Sequence, residues 1–402
     1  MPLSSFSLLI ALGALLGHLY LFRRLVWNLT PRRTPRLVAA VVLGVMTLVL
    51  MARRSLQRTL PEAPGDVVEL VSYSWMGLAL CLVLALAVLD AGRAVLAVGR
   101  HLRSSAPRAS VPAPVPVPVP VPSVDAERRR FLAQATAGGA LALGGGLAGY
   151  GSWRAFTAPE VTELVVRIPR LPRALEGLSI VQLTDLHVGS FIQRRFMDEL
   201  VRRANALKPD LVAITGDLVD GSVPRLGGFV AALGNLQARY GRFFVTGNHD
   251  YSSGANAWVA WLHSLGIASL RNRHVRIGDA GGAFDLVGVD DWHGGRRLRQ
   301  KGYDLEQALA GRDPERAAVL LAHQPANFKV AAERGVDLQI SGHTHGGQLF
   351  PMTALIGLQW EHSAGHYRHG DSHIYVSRGC GFWGPPMRLG SPPELVKLVL
   401  TS

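Results

Sequence analysis

Three long apolar runs open the chain. Ser4–Phe22, Leu37–Ala52 and Val71–Leu89 carry no charged side chain. Each approaches the ~20 residues a helix needs to cross a bilayer core. The second is the shortest, but arginines flank it, and their stems can reach the membrane interface. Helices of a globular core seldom lack a polar face three times running. Residues 1–105 therefore predict three transmembrane helices. Val111–Pro122 then reads VPAPVPVPVPVP. Alternating proline excludes helix and sheet ladders and favours polyproline II. At ~3.1 Å per residue this makes a stiff spacer of roughly 35–40 Å, inside a linker over 106–127. Residues 128–152 follow, with Arg128-Arg129-Arg130-Phe131-Leu132 ahead of the weakly apolar Ala133–Tyr150. They read as a fourth transmembrane helix with a cationic flank, or as a segment that resembles a twin-arginine export signal.

The period shortens at Glu160. Strand-like runs appear at Leu164–Ile168, Leu178–Leu183, Leu211–Thr215, Phe243–Thr246, Phe284–Val289, Ala317–Ala322, Leu338–Ser341, His373–Ser377 and Leu395–Leu400. Helical patterns fill Gln193–Leu207, Ala255–Leu265 and Leu305–Ala310. Residues 156–402 thus predict a layered α/β domain with mixed sheets.

Charge separates the same two regions. Residues 1–155 hold 16 arginines against six acidic residues, while residues 156–402 hold 26 basic against 23 acidic. The net +13 belongs mainly to the apolar third, and the near-neutral α/β region lacks the basic groove of a nucleic-acid binder. Arg23, Arg24, Arg32, Arg33 and Arg36 follow the first run with no acid among them, which places that loop in the cytoplasm. Alternation then puts the residues after about 150 outside it. The two cysteines, Cys81 and Cys380, imply no disulfide framework.

Polar residues collect where the strand-like runs end. Ile180–Leu183 leads into Thr184-Asp185-Leu186-His187, and Leu211–Ile214 into Thr215-Gly216-Asp217-Leu218-Val219-Asp220. Phe243–Val245 leads into Thr246-Gly247-Asn248-His249-Asp250, Val319–Ala322 into His323, and Val336–Ile340 into Ser341-Gly342-His343-Thr344-His345-Gly346-Gly347-Gln348. Sites in α/β sheets gather at carboxyl ends of strands. In an extended turn His343 and His345 face the same way, with glycines on both sides to bend the backbone.

These five clusters, in this order, resemble the calcineurin-like metallophosphoesterases. The resemblance covers about residues 160–402. It implies a four-layer α/β/β/α sandwich with two divalent metal ions between the sheets. It also implies that Asp185, His187 and His345 complete one ion, that Asn248, His323 and His343 complete the other, and that Asp217 bridges them. A carboxylate is the natural bridge, and mixed nitrogen and oxygen donors suit Mn, Fe, Zn or Co. Two such ions activate water for attack on phosphorus and stabilise the charge that develops. His249 is expected to protonate the leaving oxygen or to stabilise phosphoryl charge. Asp250 is expected to orient His249, and Asp220 to order the turn after Asp217. The Gly346-Gly347-Gln348 extension, the apolar N-terminal third and the tail from Tyr375 are similar to a bacterial membrane-associated subgroup that includes UDP-diacylglucosamine pyrophosphatases.

Other polar residues read more plainly. Asp290-Asp291-Trp292-His293 is expected to form a turn, and His362, His366, His369 and His373 are expected at the surface. Arg378 and Arg388 serve either a substrate phosphate or ion pairs within the fold. Leu349–Met352, Ala354–Trp360 and Phe191-Ile192 form either core or an apolar lip that admits a lipid phosphate. The expectation is a metal-dependent phosphoesterase of a bacterial inner membrane, multi-pass, with its catalytic domain outside the cytoplasm. A small-molecule or lipid phosphoester is the expected substrate, and no nucleic-acid partner is expected. Known pyrophosphatases of that lipid nucleotide work from the cytoplasmic side, so an outside domain favours a cell-envelope phosphoester. A non-catalytic metal-binding sensor or scaffold is the alternative.

Overall fold

The computed structural model describes residues 5–104, 124–298 and 300–402, so the proline-rich spacer lies outside the described residues. The chain divides into two compact units, Met1–Tyr150 and Gly151–Ser402. The first holds α1 (Ser5–Phe22), α2 (Arg33–Thr59), α3 (Glu62–Ser104) and most of α4 (Val124–Phe156). Among the described residues, Arg33–Arg53, Glu62–Leu102 and Glu127–Phe156 are long and apolar enough to cross a membrane. The expected runs at 37–52 and 71–89 lie inside α2 and α3, because helical hydrogen bonding continues past the apolar stretch into charged ends. Helix α4 begins at Val124 rather than Arg128, so the last residues of the expected linker, 124–127, are helical.

The second unit contains β1 (Glu160–Arg167), β2 (Ser179–Leu183), α5 (Arg194–Ala206), β3 (Leu211–Thr215), α6 (Val223–Val230), β4 (Arg242–Val245), α7 (Asn248–Ser252), α8 (Ala255–Ser264), β5 (Ala268–Ser269), β6 (Arg273–Asp279) and β7 (Gly282–Gly288). It continues with α9 (Gly294–Leu298), α10 (Leu305–Leu309), β8 (Ala318–Leu321), α11 (Phe328–Glu333), β9 (Leu338–Ser341), α12 (Met352–Gln359), β10 (Gly365–His369), β11 (Ser372–Val376) and β12 (Glu394–Thr401). One sheet runs β1-β12-β2-β3-β4-β5 and the other β10-β11-β9-β8-β7-β6. Both are mixed: β2, β3 and β4 pair in parallel, as do β7, β8, β9 and β11, with antiparallel partners nearer the edges.

The period-two alternation of the strands makes the layers. In β3, Leu211 and Ala213 face the space between the sheets, while Val212 and Ile214 face the helices. In β8, Val319 and Leu321 face inward, and Ala318 and Leu320 outward against Leu305, Ala308 and Ala331. Met197, Leu200 and Val201 of α5, with Trp258 and Leu262 of α8, cover the outer side of the first sheet. Burying a side chain of leucine size stabilises by about 1.5–3 kcal/mol. The result is the expected four-layer α/β/β/α sandwich. Strands β5, β6 and β10 were not expected. They are short or lie at sheet edges, where one face meets water, and their sequences (RHVRIGD for β6, GHYRH for β10) lack an apolar run.

Candidate metal centre

The parallel strands of both sheets end at the same rim. Leaving β2, β3, β4, β8 and β9, the chain delivers Asp185 and His187, Asp217 and Asp220, Asn248 and His249, His323, and His343 and His345. The backbone pays for this convergence with strain. Asp185, His187, Asp217, His343 and His345 all adopt positive φ, between 48° and 73°, a region L-residues enter mainly where the surroundings force them. The glycines make the turns fit together. A Cβ on Gly342 would lie 2.2 Å from Asp185 Oδ2, and one on Gly247 would lie 2.2 Å from Asp217 Oδ1.

Three groups of donors result, each with its ligand atoms within 4.8 Å of one another: Asp185, His187 and His345; His187, Asp217 and His249; Asp217, His323 and His343. Asp217 and His187 each belong to two. The His187 and His345 Nε2 atoms stand 3.2 Å apart, and His323 Nε2 stands 3.1 Å from His343 Nδ1. His187 donates its Nδ1–H to Asp220 at 3.0 Å, and His323 donates its own to the Thr215 carbonyl at 2.9 Å. Both therefore turn an Nε2 lone pair into the centre. Asn248 Oδ1 is buried and accepts no hydrogen bond. Converging lone pairs, buried carboxylates and an orphaned amide oxygen are what a divalent cation would satisfy.

The electrostatics agree. Burial alone would keep His323 neutral, yet the Asp217 carboxylate beside it pulls its proton affinity well above the usual imidazole value, so the centre draws positive charge. Burial and the nearby His323 push His343 down to about 3. Burial opposes charge on His249 as well, but Asp220 and Asp217 raise it to about 10.

Six of the seven expected ligands, Asp185, His187, Asp217, His323, His343 and His345, fall in these donor groups, and the seventh, Asn248, offers its buried, unpartnered amide oxygen. His249 also reaches the donor groups, although the sequence placed it outside the ligand set. The two supporting aspartates exchange their expected roles. Asp220, not Asp250, binds the His249 ring, accepting its Nδ1–H together with that of His187. Asp250 forms no hydrogen bond with the His249 ring among the described residues. Its Oδ1 accepts the Leu218 and Val219 N–H groups at 2.9 and 3.3 Å, and its Oδ2 accepts Gly247 N–H at 2.8 Å. It is fully buried, and burial with the Asp217 charge pushes it up to about 7.

The remaining candidates also find their places. Asp291 closes the expected turn, accepting His293 and Gly294 N–H at 2.9 and 2.6 Å, while Asp290 pairs with Arg271. Arg378 pairs with the buried Glu394 at 2.6 Å. Arg388 is buried among carbonyls: Nε donates to Gly381 and Nη1 to His345, and Nη2 lies 3.2 Å from His345 Nδ1. Of the four peripheral histidines, His373 is buried rather than exposed, stacked on His366 across the β10–β11 pair. Ile192 is core, whereas Phe350, Met352, Leu355 and Leu358 are exposed. Two tryptophans line the rim: Trp360, the end of the segment expected as core or lip, lies against the His343 ring, and Trp383, which the sequence did not single out, against the His249 ring, at centroid separations of 5.0 and 5.7 Å. Each comes from a segment without ligands.

Comparison with known proteins agrees with this geometry. Residues 178–347 match the family model of the calcineurin-like phosphoesterases. A Danio rerio protein named transmembrane protein with metallophosphoesterase domain is 40% identical over 263 residues, 63% of this chain and 60% of that protein. A Helicobacter pylori protein named uncharacterized metallophosphoesterase is 37% identical, over 62% of this chain and 66% of its own. One of the same name from Aquifex aeolicus is 34% identical, over 59% of this chain and 90% of its own. The chain thus spans 60% of the length of the first of these relatives.

Proposed function

Because the chain belongs to the calcineurin-like phosphoesterase family, we propose that it is a membrane-anchored hydrolase of phosphate mono- or diesters, or of a pyrophosphate bond, working with two divalent cations. The observation that carries this reading is Asp217, whose carboxylate belongs to two donor groups at once. Asp185, His187 and His345 would hold one cation, and Asn248, His323 and His343 the other. Bound there, divalent cations polarise phosphoryl oxygens and lower the pKa of water. The nitrogen and oxygen donors favour Mn, Fe, Zn or Co.

The chain's own residues supply the rest. Asp220 holds the Nδ1–H of both His187 and His249, so neither ring can turn. The raised proton affinity of His249 keeps a proton on Nε2, ready for the departing oxygen. The backbone N–H of His249 donates to Asp217 Oδ1 at 2.8 Å and holds that carboxylate in line. Arg388 fixes the His345 carbonyl and the backbone around it.

The test uses the full chain in detergent, stripped by a chelator and reloaded with Mn, Fe, Zn or Co, on a panel of aryl phosphomonoesters and diesters. Reloading should restore turnover. Asp217→Asn should lower it by more than about 100-fold, beyond the cost of losing an outer partner. Unchanged activity in that variant overturns the mechanism, and metal binding without turnover of any substrate marks a scaffold. The arginine asymmetry around the apolar helices supports a catalytic unit outside the cytoplasm. Protease added to sealed, right-side-out vesicles should digest that unit, and full protection reverses the orientation.

A further inference from the structure

Helix α12 has no buried residue. It follows the His343–Gln348 turn directly, and from Gln348 to Trp360 the chain carries no charge. Met352, Leu355 and Leu358 repeat every third position and share one side of the helix. They are 44%, 45% and 86% exposed, and the preceding Phe350 is 53% exposed. A contiguous apolar face of this kind on a water-facing surface marks an interaction site. It also borders the metal centre. Trp360, where the helix ends, touches the His343 ring, and the Gln348 side chain donates to the carbonyl of Trp383, whose ring meets His249.

What covers this face is indicated by the end of α4. Its last turns, Gly151–Phe156, belong to the catalytic unit and also end the candidate span Glu127–Phe156. Ala155 is buried in the core of that unit, and the Phe156 ring meets Phe382 at 5.2 Å. Arg388 N–H donates to the Gly151 carbonyl at 2.9 Å, and Leu389 lies against Gly151. Leu389 in turn pairs with the start of the apolar segment: its carbonyl accepts Phe350 N–H, and its own N–H donates to the Gln348 carbonyl. The end of a span, the backbone behind His345 and the foot of α12 thus form one hydrogen-bonded block.

The geometry points to Phe350 and α12 as a docking surface for the lipid bilayer beside the metal centre, so that phosphoesters carried by membrane lipids enter from the bilayer side. The docking rests on exposure and connectivity; its consequence for substrate rests on the phosphoesterase reading. An uncharged helix lying at the headgroup boundary buries its apolar side there, and the two tryptophans frame the passage to the ligands.

Two measurements on the full chain in phosphatidylcholine–phosphatidylglycerol vesicles test this. Cys81 and Cys380 are buried, so Leu358→Cys takes a nitroxide label selectively, with the exposed Arg202→Cys as the reference. The label at 358 should be relaxed by oxygen and shielded from an aqueous nickel complex, and that at 202 the reverse. Equal access of nickel to both overturns the docking. The second measurement compares hexadecyl and methyl p-nitrophenyl phosphate, which share a leaving group and differ in the tail. The wild type should prefer the tailed ester at least tenfold, and Leu355→Ser/Leu358→Ser should erase that preference. A preference that survives in the variant overturns the lipid route, as does its absence from an active wild type. If neither ester is cleaved, the diesterase reading and the lipid-diester route both fall, and the label alone decides the docking.

Discussion

Two turns of the metal centre begin alike and end alike. The one after β3 runs Thr215-Gly216 to Asp220, and the one after β4 runs Thr246-Gly247 to Asp250. Each closing aspartate serves the other turn. Asp220 accepts the His249 ring N–H, and Asp250 accepts the backbone N–H groups of Leu218 and Val219. Their surroundings differ. The Asp220 side chain is 26% exposed and its donors are imidazoles; burial works against its charge, yet His187 and His249 hold it well below the usual carboxylate range. Asp250 is closed off, and its hydrogen bonds come from peptide N–H groups. A carboxylate facing rings sets their tautomer and aim, whereas one facing peptide groups sets the path of the chain.

The widest separation should appear in catalysis. Asp220→Asn replaces an acceptor of two ring N–H groups by an amide that can accept only one well. The other ring loses its hold or turns its tautomer. Losing such a partner costs about 10–100-fold, and kcat should fall by that amount while the melting temperature stays within about 2 °C, since the site is open to water that can substitute. Steady-state kinetics beside a thermal melt decides it. A variant that melts much lower, with kcat preserved in the folded fraction, would turn Asp220 into an architectural residue and erase the contrast.

Asp250→Asn should show the opposite signature. One amide face can still accept from Leu218 and Val219, but its NH2 then confronts the Gly247 N–H. An unsatisfied buried donor costs about 1–3 kcal/mol, which for a domain of this size corresponds to roughly 2–12 °C in melting temperature. Turnover of the folded protein should change less than about fivefold. A loss of kcat as large as that of Asp220→Asn, with an unchanged melt, would restore the expected role of Asp250 as the partner of His249.

That exchange of roles marks where the sequence stops being legible. The candidate polar clusters could be found because apolar strand runs end abruptly in Asp, His and Asn beside glycine, a pattern local to each turn, and the family resemblance selected the expected ligands among them. The same runs gave a layered α/β domain with mixed sheets, and the count of four layers came from the family resemblance. Long apolar helices were visible for the same reason, though not their ends, since α2 and α3 continue into charged residues. Partner choice between turns is different. Asp220 and Asp250 lie in separate segments, and which one meets His249 depends on how the positive-φ turns stack. Trp383 reaches the rim by tertiary packing alone, and the edge strands β6 and β10 lack a one-sided apolar pattern because residues on both of their faces are largely open to water. For Arg388, the sequence offered a phosphate or an ion pair. Its place among the carbonyls of Gly381 and His345 is neither.

The finest test asks whether the two turns act as one unit. In the double variant Asp220→Asn/Asp250→Asn, separate roles predict a fall in kcat equal to the product of the single effects, with a coupling below about 0.5 kcal/mol, the range for independent sites. The turns do touch through His249 N–H and Asp217 Oδ1, so some coupling has a route. It is expected to be small, because that contact runs through the peptide of His249, while Asp220 acts on the ring. A relaxed backbone would shift the ring only through the stiff first residues of α7. Coupling above about 1 kcal/mol would mean that Asp250 sets the ring position by way of the chain, and that the division between architectural and chemical carboxylates holds for their contacts but not for their effects.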